Sequence, residues 1–200
     1  MESRPIKEFS RFDIVMNRFR QEIEDKSRFS SVAPFADNDI AQDERLERSA
    51  KDFWQFDQIY FPEEMYSDGY SAPSRFHKDI IKIASKPGIQ VILGPRKHGK
   101  TATAKKYLVW LLLTGKVNFG GTLSQTLTTS RNILTDIFSL IADNRRILHD
   151  FAPEFDEANQ DQLTFSVRSV DKKIRLMAFS EGRSVRGATR LFDRPQFILC

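Results

Sequence analysis

The sequence predicts an α/β fold: a parallel sheet flanked by helices, with an N-terminal helical appendage and a β-hairpin insertion. Two observations support it. From residue 76 onward, short apolar runs typical of strands alternate with longer amphipathic segments typical of helices. A glycine-containing turn, GPRKHG, also joins the first apolar run directly to the helix that follows it. Strand, helix, strand and helix in succession indicate parallel strands joined by crossover helices.

The first 56 residues are polar and predicted to be helical. FDIVMNRFRQEIEDKSRF has apolar residues close to one helical face, and DIAQDERLERSAKDFWQF is a second, weaker helix candidate. We interpret residues 1–56 as an appendage or docking segment; the alternative is that they form part of the core. Residues 57–200 would then be the main domain. It would be entered through a loop at 57–75, which is rich in Pro, Gly, Ser and aromatic residues.

The main domain opens with a short predicted helix, FHKDIIKIAS, which the following KPG ends. IQVIL, residues 89–93, is a compact apolar run and predicts a strand buried on both faces. GKTATAKKYLVWLLLTGK predicts a helix that Gly115 ends. VNFGGTLS then predicts a second strand.

The last part of the chain predicts a helix, a hairpin and a strand. TLTTSRNILTDIFSLIADNRRILHDF carries a single apolar stripe and predicts one helix. QLTFSVRSVDKKIRLMAFS alternates in polarity on either side of a turn expected at Asp171, which predicts a β-hairpin. The terminal FILC is predicted to be a central strand of the sheet.

The overall composition is that of an ordinary globular domain. The 200 residues are 40% hydrophobic and 29% charged, and the net charge of +4 permits contact with nucleic acid without establishing it. No apolar run approaches the ~18 residues of a membrane span, and the N-terminus is too polar for a signal peptide, so we expect a cytoplasmic protein without a membrane partner. One cysteine and three histidines argue against a disulfide or a structural zinc site.

Residues 94–101 fit the phosphate-binding pattern G-x-x-x-x-G-K-[ST], which predicts a P-loop nucleotide hydrolase that uses ATP and Mg²⁺. Gly94 and Gly99 let the backbone turn so that its N–H groups face the phosphates, and the next helix aims its N-terminus at the same charge. Lys100 would reach the β- and γ-phosphates, and the Thr101 hydroxyl would bind Mg²⁺. The predicted nucleotide contacts in this stretch are Gly94, Pro95, Arg96, Lys97, His98, Gly99, Lys100, Thr101 and Ala102.

Three potentially basic side chains, those of Arg96, Lys97 and His98, lie inside this loop. Arg96 is a candidate arginine finger that acts in cis on transition-state charge; alternatively it is exposed to solvent or paired with an acid on a neighbouring strand. We interpret His98 as a loop residue and not as a catalytic base.

Four stretches together resemble the large terminase subunit of tailed bacteriophages, the ATPase that pumps DNA into the capsid. They are GPRKHGKT, with an arginine three residues before its second glycine; SAPSRFHKDII, similar to a Pro-x-x-aromatic element; EGRSVRGATR, similar to a glycine- and arginine-rich loop; and RPQFILC, similar to the strand before the family's acidic pair. The resemblance covers roughly residues 57–200.

The resemblance implies roles for residues that spacing alone does not assign. Arg96 would act on the ATP phosphates together with Lys100, and Phe76 and His77 would contact the adenine base, although the family often has Gln at the position of His77. Phe76 is alternatively an ordinary core residue. Three arginines of the glycine-rich loop would contact DNA phosphates or the nucleotide of a neighbouring subunit, or else form a solvated basic turn: Arg183, Arg186 and Arg190.

The implied function is ATP hydrolysis coupled to translocation of double-stranded DNA, with a capsid portal and a small terminase subunit as partners and a homo-oligomer on the capsid. In the family the strand similar to RPQFILC leads into an Asp-Asp or Asp-Glu pair, whereas here FILC ends first, and Glu181 and Asp193 are expected to flank loops. We therefore expect an N-terminal piece of a packaging ATPase that ends at this acidic (Walker B) strand. The alternatives are another P-loop translocase, such as a helicase-like ATPase, or a non-hydrolysing nucleotide-binding remnant.

Other polar and aromatic residues have less specific predictions. Ser124 and Gln125 end the second predicted strand, where they can sense phosphate, although capping of the next helix by Ser124 is the simpler role. Trp54 and Trp110 are predicted to be packing residues.

Overall fold

The computed structural model describes residues 34–36, 39–62, 72–181 and 194–200. The described part of the chain forms a five-stranded sheet flanked by helices, and the α/β class is confirmed. The helices are α1 (Asp39–Lys51), α2 (Phe53–Tyr60), α3 (Arg75–Ala84), α4 (Lys100–Leu113), α5 (Leu127–Ala142) and α6 (Arg145–Phe151). The strands are β1 (Phe119–Ser124), β2 (Glu154–Ala158), β3 (Gln162–Val167), β4 (Val170–Ser180) and β5 (Phe197–Leu199).

The sheet is mixed, which corrects the prediction of a parallel sheet. Its strand order is β2-β3-β4-β1-β5. β1 pairs in parallel with β4 and with β5, whereas β2, β3 and β4 form an antiparallel meander. β4 belongs to both parts because its two edges have different partners: residues 170–177 pair with β3, and residues 175–180 pair with β1. The predicted hairpin is therefore a continuation of the main sheet, and not a separate insertion.

Two details of this meander differ from the sequence prediction. The hairpin turn lies at residues 168–169, ahead of the predicted Asp171, because β4 already begins at Val170. β2 was not predicted, since EFDEA alternates too weakly in polarity to indicate a strand. β2 exists because the edge of β3 supplies its hydrogen-bonding partner.

The long predicted helix at 126–151 is divided into α5 and α6. Asn144 lies between them and has extended backbone angles. Its side-chain oxygen accepts hydrogen bonds from the N–H groups of Arg146 and Ile147, both at 3.1 Å, and its amide donates to the Tyr60 carbonyl at 2.7 Å. The buried Asn144 side chain therefore caps a new helix and ties it to α2.

The N-terminal helices contribute to the hydrophobic core. α2 runs across residue 56 and buries Phe53, Phe56 and Tyr60 among residues of α4 and α6. Trp110 is buried, its indole N–H donates to the Ser49 carbonyl at 2.7 Å, and Trp54 packs against the same cluster, so both tryptophans are packing residues as predicted. The domain boundary at residue 56 stays a prediction.

The most informative difference concerns residues 89–93, which were predicted to be a buried strand and are not one. They form no regular secondary structure and pair with no strand of the described sheet. Ile89, Val91 and Leu93 are 96%, 76% and 87% exposed. A strand is buried only where neighbours accept its hydrogen bonds and layers cover its faces, and neither condition holds for this segment.

The predicted central position of FILC is also corrected. Within the described residues, β5 pairs with β1 alone and lies at one edge of the sheet. None of the described helices is long and apolar enough to cross a membrane.

Candidate phosphate-binding site

Helix α4 points its N-terminus at the edge of the sheet where β1, β4 and β5 end. Gly115, just beyond the C-terminus of α4, approaches Val170 at the beginning of β4. Tyr107, half-way along the helix, contacts Phe197 at the beginning of β5, with ring centroids 6.1 Å apart. The helix therefore runs antiparallel to the three parallel strands. Its first residue, Lys100, lies toward their carboxyl ends, where open α/β sheets bind ligands.

The loop at residues 94–99 turns sharply into this helix. Lys97 and Gly99 both have left-handed backbone conformations, with φ of 65° and 69°. The Gly99 carbonyl accepts the first helical hydrogen bond, from Thr103 N–H at 2.9 Å. The Lys100 ammonium folds back and donates to the carbonyl oxygens of Gly94, at 2.8 Å, and Pro95. The loop thus curls around the lysine that the sequence predicts to bind phosphate.

The beginning of α3 packs against the outside of this loop. His77 Nδ1 accepts a hydrogen bond from Ser74 N–H at 3.1 Å, and so its Nε2 carries the proton and donates to the His98 carbonyl at 3.0 Å. The Phe76 ring lies so close to Gly94 that a Cβ there would be 2.9 Å from Phe76 Cζ. The structure therefore brings Phe76 and His77, the predicted adenine contacts, beside the predicted phosphate loop.

The other predicted loop residues are accessible. The backbone carbonyl of Arg96 accepts a hydrogen bond from His98 Nδ1 at 2.8 Å. The exposed residues of the predicted nucleotide site are Gly94, Pro95, Arg96, Lys97, His98, Gly99, Thr101 and Ala102. Arg183, Arg186 and Arg190 lie outside the described residues.

Glu181 lies at a strand end, which corrects the expectation that it flanks a loop. It follows β4 directly, and its N–H donates to the Ser124 carbonyl at the end of β1, at 3.2 Å. Its carboxylate is therefore carried on the same sheet edge toward which α4 points. Within the described ranges, no group of three or more His, Cys, Asp or Glu residues is arranged to hold a metal ion.

Thr126, and not Ser124, caps helix α5. The Thr126 hydroxyl accepts a hydrogen bond from Thr129 N–H at 3.2 Å, because the helix begins three residues after β1 ends. Ser124 and Gln125 thus remain on the connection at the carboxyl edge of the sheet.

A buried ion pair joins α2 to α4, the helix that carries Lys100, and no sequence pattern predicts it. The Asp57 carboxylate of α2 pairs with the Lys106 ammonium of α4, and both side chains are largely buried. Burial raises the pKa of the Asp57 carboxyl, although the charge of Lys106 and its hydrogen bond oppose that shift. No local sequence signal joins residues 49 positions apart, so only the tertiary structure shows that α2 anchors the helix that carries Lys100.

The comparisons with known proteins do not extend these observations. No protein-family model matches the chain. No curated protein and no solved structure matches it either.

Proposed function

We propose that the chain binds ATP and Mg²⁺ through residues 94–101 and is the nucleotide-binding part of a DNA-packaging ATPase. The observation that carries the nucleotide site is the loop itself. A G-x-x-x-x-G-K-T loop curls around Lys100 at the N-terminus of a 14-residue helix, and that helix points to the carboxyl edge of three parallel strands. Polyphosphate binding requires these features: the glycines of the loop, the N-terminus of the helix and the lysine.

Each residue has a distinct part in this proposal. Lys100 leaves the carbonyls of Gly94 and Pro95 and neutralises the β- and γ-phosphate oxygens. Thr101, at the second position of α4, supplies a hydroxyl ligand to Mg²⁺. Arg96 is exposed in the loop, and from there it can reach charge that develops on the γ-phosphate.

The base is proposed to lie against the first turn of α3. Phe76 offers a ring face or edge beside Gly94. Both ring nitrogens of His77 are already hydrogen-bonded, to Ser74 and to the His98 carbonyl, so His77 would contact the base by exchanging its bond to His98. The short distance between this turn and the loop supports a mononucleotide whose base and phosphates are bound by adjacent elements.

The packaging role is supported by the resemblance to large terminase subunits. Under this proposal ATP hydrolysis moves double-stranded DNA, and a portal, a small terminase subunit and further copies of the chain are partners. Glu181 directly follows β4, and its carboxylate is the candidate to activate water or to bind Mg²⁺.

The test is direct measurement of MgATP binding and turnover by the purified chain and by Lys100→Ala. We expect at least about a tenfold loss of affinity in Lys100→Ala, because a lysine–phosphate contact is a charge-assisted hydrogen bond. Lys78→Ala is the matched control, since it removes an exposed lysine of α3, four residues after the N-cap Ser74. Equal affinity in all three proteins would refute the nucleotide site.

Turnover separates the remaining alternatives. Lys100-dependent hydrolysis that double-stranded DNA stimulates and that Glu181→Gln abolishes would support a translocating ATPase completed by Glu181. Binding without turnover, with or without DNA, would support a non-hydrolysing nucleotide-binding module.

A further inference from the structure

The first turn of α4, which carries Lys100, is the least buried part of that helix. Thr101 and Ala102 are exposed, whereas residues 107–113 are all buried. An α-helix rises about 1.5 Å per residue and is rigid over a few turns, so Lys106 lies roughly 9 Å from Lys100 along the axis. Contacts made by the helix near Lys106 therefore help to set where its first turn lies.

The Lys106 ammonium is held by two side chains from the C-terminal end of α2. It pairs with the Asp57 carboxylate and lies 5.5 Å from the centre of the Phe61 ring. Asp57 and Phe61 are both buried, and the Phe61 N–H donates to the Asp57 carbonyl at 2.8 Å, so the carboxylate and the ring come from one turn. We call Asp57 and Phe61 the Lys106 socket.

The Lys106 socket is itself fixed to α6. Tyr60 lies within the same turn; its hydroxyl donates to the buried Asp150 carboxylate at 2.9 Å, and its carbonyl accepts from the Asn144 amide at 2.7 Å. The Ile59 carbonyl accepts a further hydrogen bond from Arg146 Nη1 at 2.9 Å. Since these bonds hold the turn from behind, the socket is a firm support for α4.

Lys105, the neighbour of Lys106 on α4, provides a comparison within the same helix. Its ammonium pairs with the Asp136 carboxylate of α5, whose side chain is 57% exposed, whereas the Asp57 side chain is 5% exposed. Exposed ion pairs are screened by water and contribute little, whereas a buried charge that loses its partner is strongly unfavourable. The pair with Asp57, and not the pair with Asp136, is therefore the charged contact that holds α4 in place.

We infer that Asp57 is a positioning residue of the proposed nucleotide site, which acts through Lys106 to hold Lys100 and the N-terminus of α4 where the polyphosphate binds. This inference rests on the proposed function. Asp57 itself has no contact with the ligand in this arrangement. Its effect is geometric, because a displacement of about 1 Å in a group that contacts a ligand is enough to weaken the interaction substantially.

A positioning role and a direct effect of charge predict opposite results. Removal of the Asp57 negative charge would strengthen the binding of an anionic ligand if only long-range attraction mattered. If Asp57 positions α4, the same change weakens binding. The sign of the change in affinity therefore separates the two explanations.

The test uses Asp57→Asn and the double variant Asp57→Asn/Lys106→Met. The double variant keeps the net charge and leaves no buried ammonium without a partner, so we expect it to fold even where Asp57→Asn does not. Affinity for MgATP and for magnesium tripolyphosphate is measured by calorimetric titration, and thermal unfolding checks that each protein is folded. We expect both variants to bind both ligands about tenfold more weakly than the wild-type chain.

Lys105→Met/Asp136→Asn is the matched control. It removes an ion pair of the same chemistry from the neighbouring residue of α4, and it also keeps the net charge. Because this pair is exposed on the side of Asp136, we expect both affinities to stay within about twofold of the wild-type values.

The outcomes separate the inference from the proposed function. A folded double variant that binds both ligands as tightly as the wild-type chain would overturn the inference and leave the nucleotide site standing. Tighter binding by Asp57→Asn, or an equal loss in the control, would also overturn it. A loss for MgATP without a loss for tripolyphosphate would place the effect at the base and overturn the role of Lys100. If the wild-type chain binds neither ligand, the proposed function fails and the inference with it.

Discussion

Two regions of this molecule differ sharply in burial and in hydrogen bonding. One is the Asp150 corner, which consists of Asp150 with Arg45, Tyr60 and His149, and the other is the loop segment at residues 85–99. In the corner, Asp150 Oδ2 accepts hydrogen bonds from Arg45 Nε and Tyr60 Oη, both at 2.9 Å. Its Oδ1 accepts from Arg45 Nη2 at 2.9 Å and from His149 Nδ1 at 2.7 Å. The Asp150 side chain is fully buried, and aromatic rings of α2 and α6 pack beside it.

The loop segment has almost the reverse character. Its residues are exposed apart from half-buried Ile92, and it contacts the rest of the protein mainly where α3 meets Gly94 and His98. The two regions therefore differ in how firmly they are held. The corner fixes α1, α2 and α6 by many simultaneous contacts, whereas the loop segment is determined by few and can respond to a ligand.

The largest effect is expected in the corner, from Asp150→Asn. Burial alone would raise the pKa of Asp150, but hydrogen bonds from Arg45, His149 and Tyr60 outweigh it and hold the pKa below its ordinary value. Asn in place of the carboxylate removes the negative charge from a buried site that Arg45 and Tyr60 hydrogen-bond, and we expect the free energy of unfolding to fall by about 3 kcal/mol. Urea denaturation at pH 7 measures the change.

The pH dependence of stability provides a second readout for Asp150→Asn. Because the folded pKa of Asp150 is below its unfolded value, its contribution is complete well above pH 3.8 and is lost as the pH falls through the lower, folded value. The wild-type protein should therefore lose more stability between pH 5 and 2 than the variant does. Glu47→Gln, in an exposed pair with Lys51, is the control and should leave the free energy of unfolding nearly unchanged. Similar losses in both variants would contradict the assigned role of the corner.

An intermediate effect is expected from Gly99→Ala. Gly99 has a φ of 69°, and a Cβ there would lie 3.0 Å from His77 Nε2. We expect a loss of about 1–2 kcal/mol from the left-handed conformation, together with weaker MgATP binding, because the turn and the contact with α3 both shift. Thermal unfolding and ligand titration measure the two quantities.

Gly88→Ala separates strain from the contact with α3. Gly88 also has a positive φ, 92°, but a Cβ there would meet nothing within 4 Å. Gly88→Ala should lower the free energy of unfolding by about as much as Gly99→Ala does, and should leave the affinity for MgATP unchanged. If both variants weakened MgATP binding equally, the docking of α3 on the loop would have no part in binding.

The smallest effect is expected from Val91→Thr in the absence of nucleotide. Val91 is 76% exposed, so a hydroxyl there should change the free energy of unfolding by less than about 0.5 kcal/mol. Val109→Thr, at a fully buried position of α4, is the matched comparison and should cost about 1–2 kcal/mol. Equal losses of unfolding free energy at the two positions would mean that residues 89–93 are already buried. The loop segment and the Asp150 corner would then not differ in burial.

The sequence by itself determined the elements whose signals are local. Three local signals can be read within a few residues: the apolar run and terminal glycine of α4, the alternation in β3 and β4, and the spacing of Gly94, Gly99 and Lys100. These features depend on side-chain period and backbone conformation, which neighbouring residues control. The pairing of His77 with the loop was expected only through a family resemblance.

Only the tertiary structure decided the features that depend on distant partners. Asp57 meets Lys106, Asp150 meets Arg45 and Tyr60, and β2 exists because β3 is beside it. Residues 89–93 show that an element does not form where such distant partners are absent among the described residues. Their apolar, β-branched sequence specifies a strand, but a strand is completed by hydrogen bonds from a neighbour and by layers on its faces, and sequence period carries no information about either.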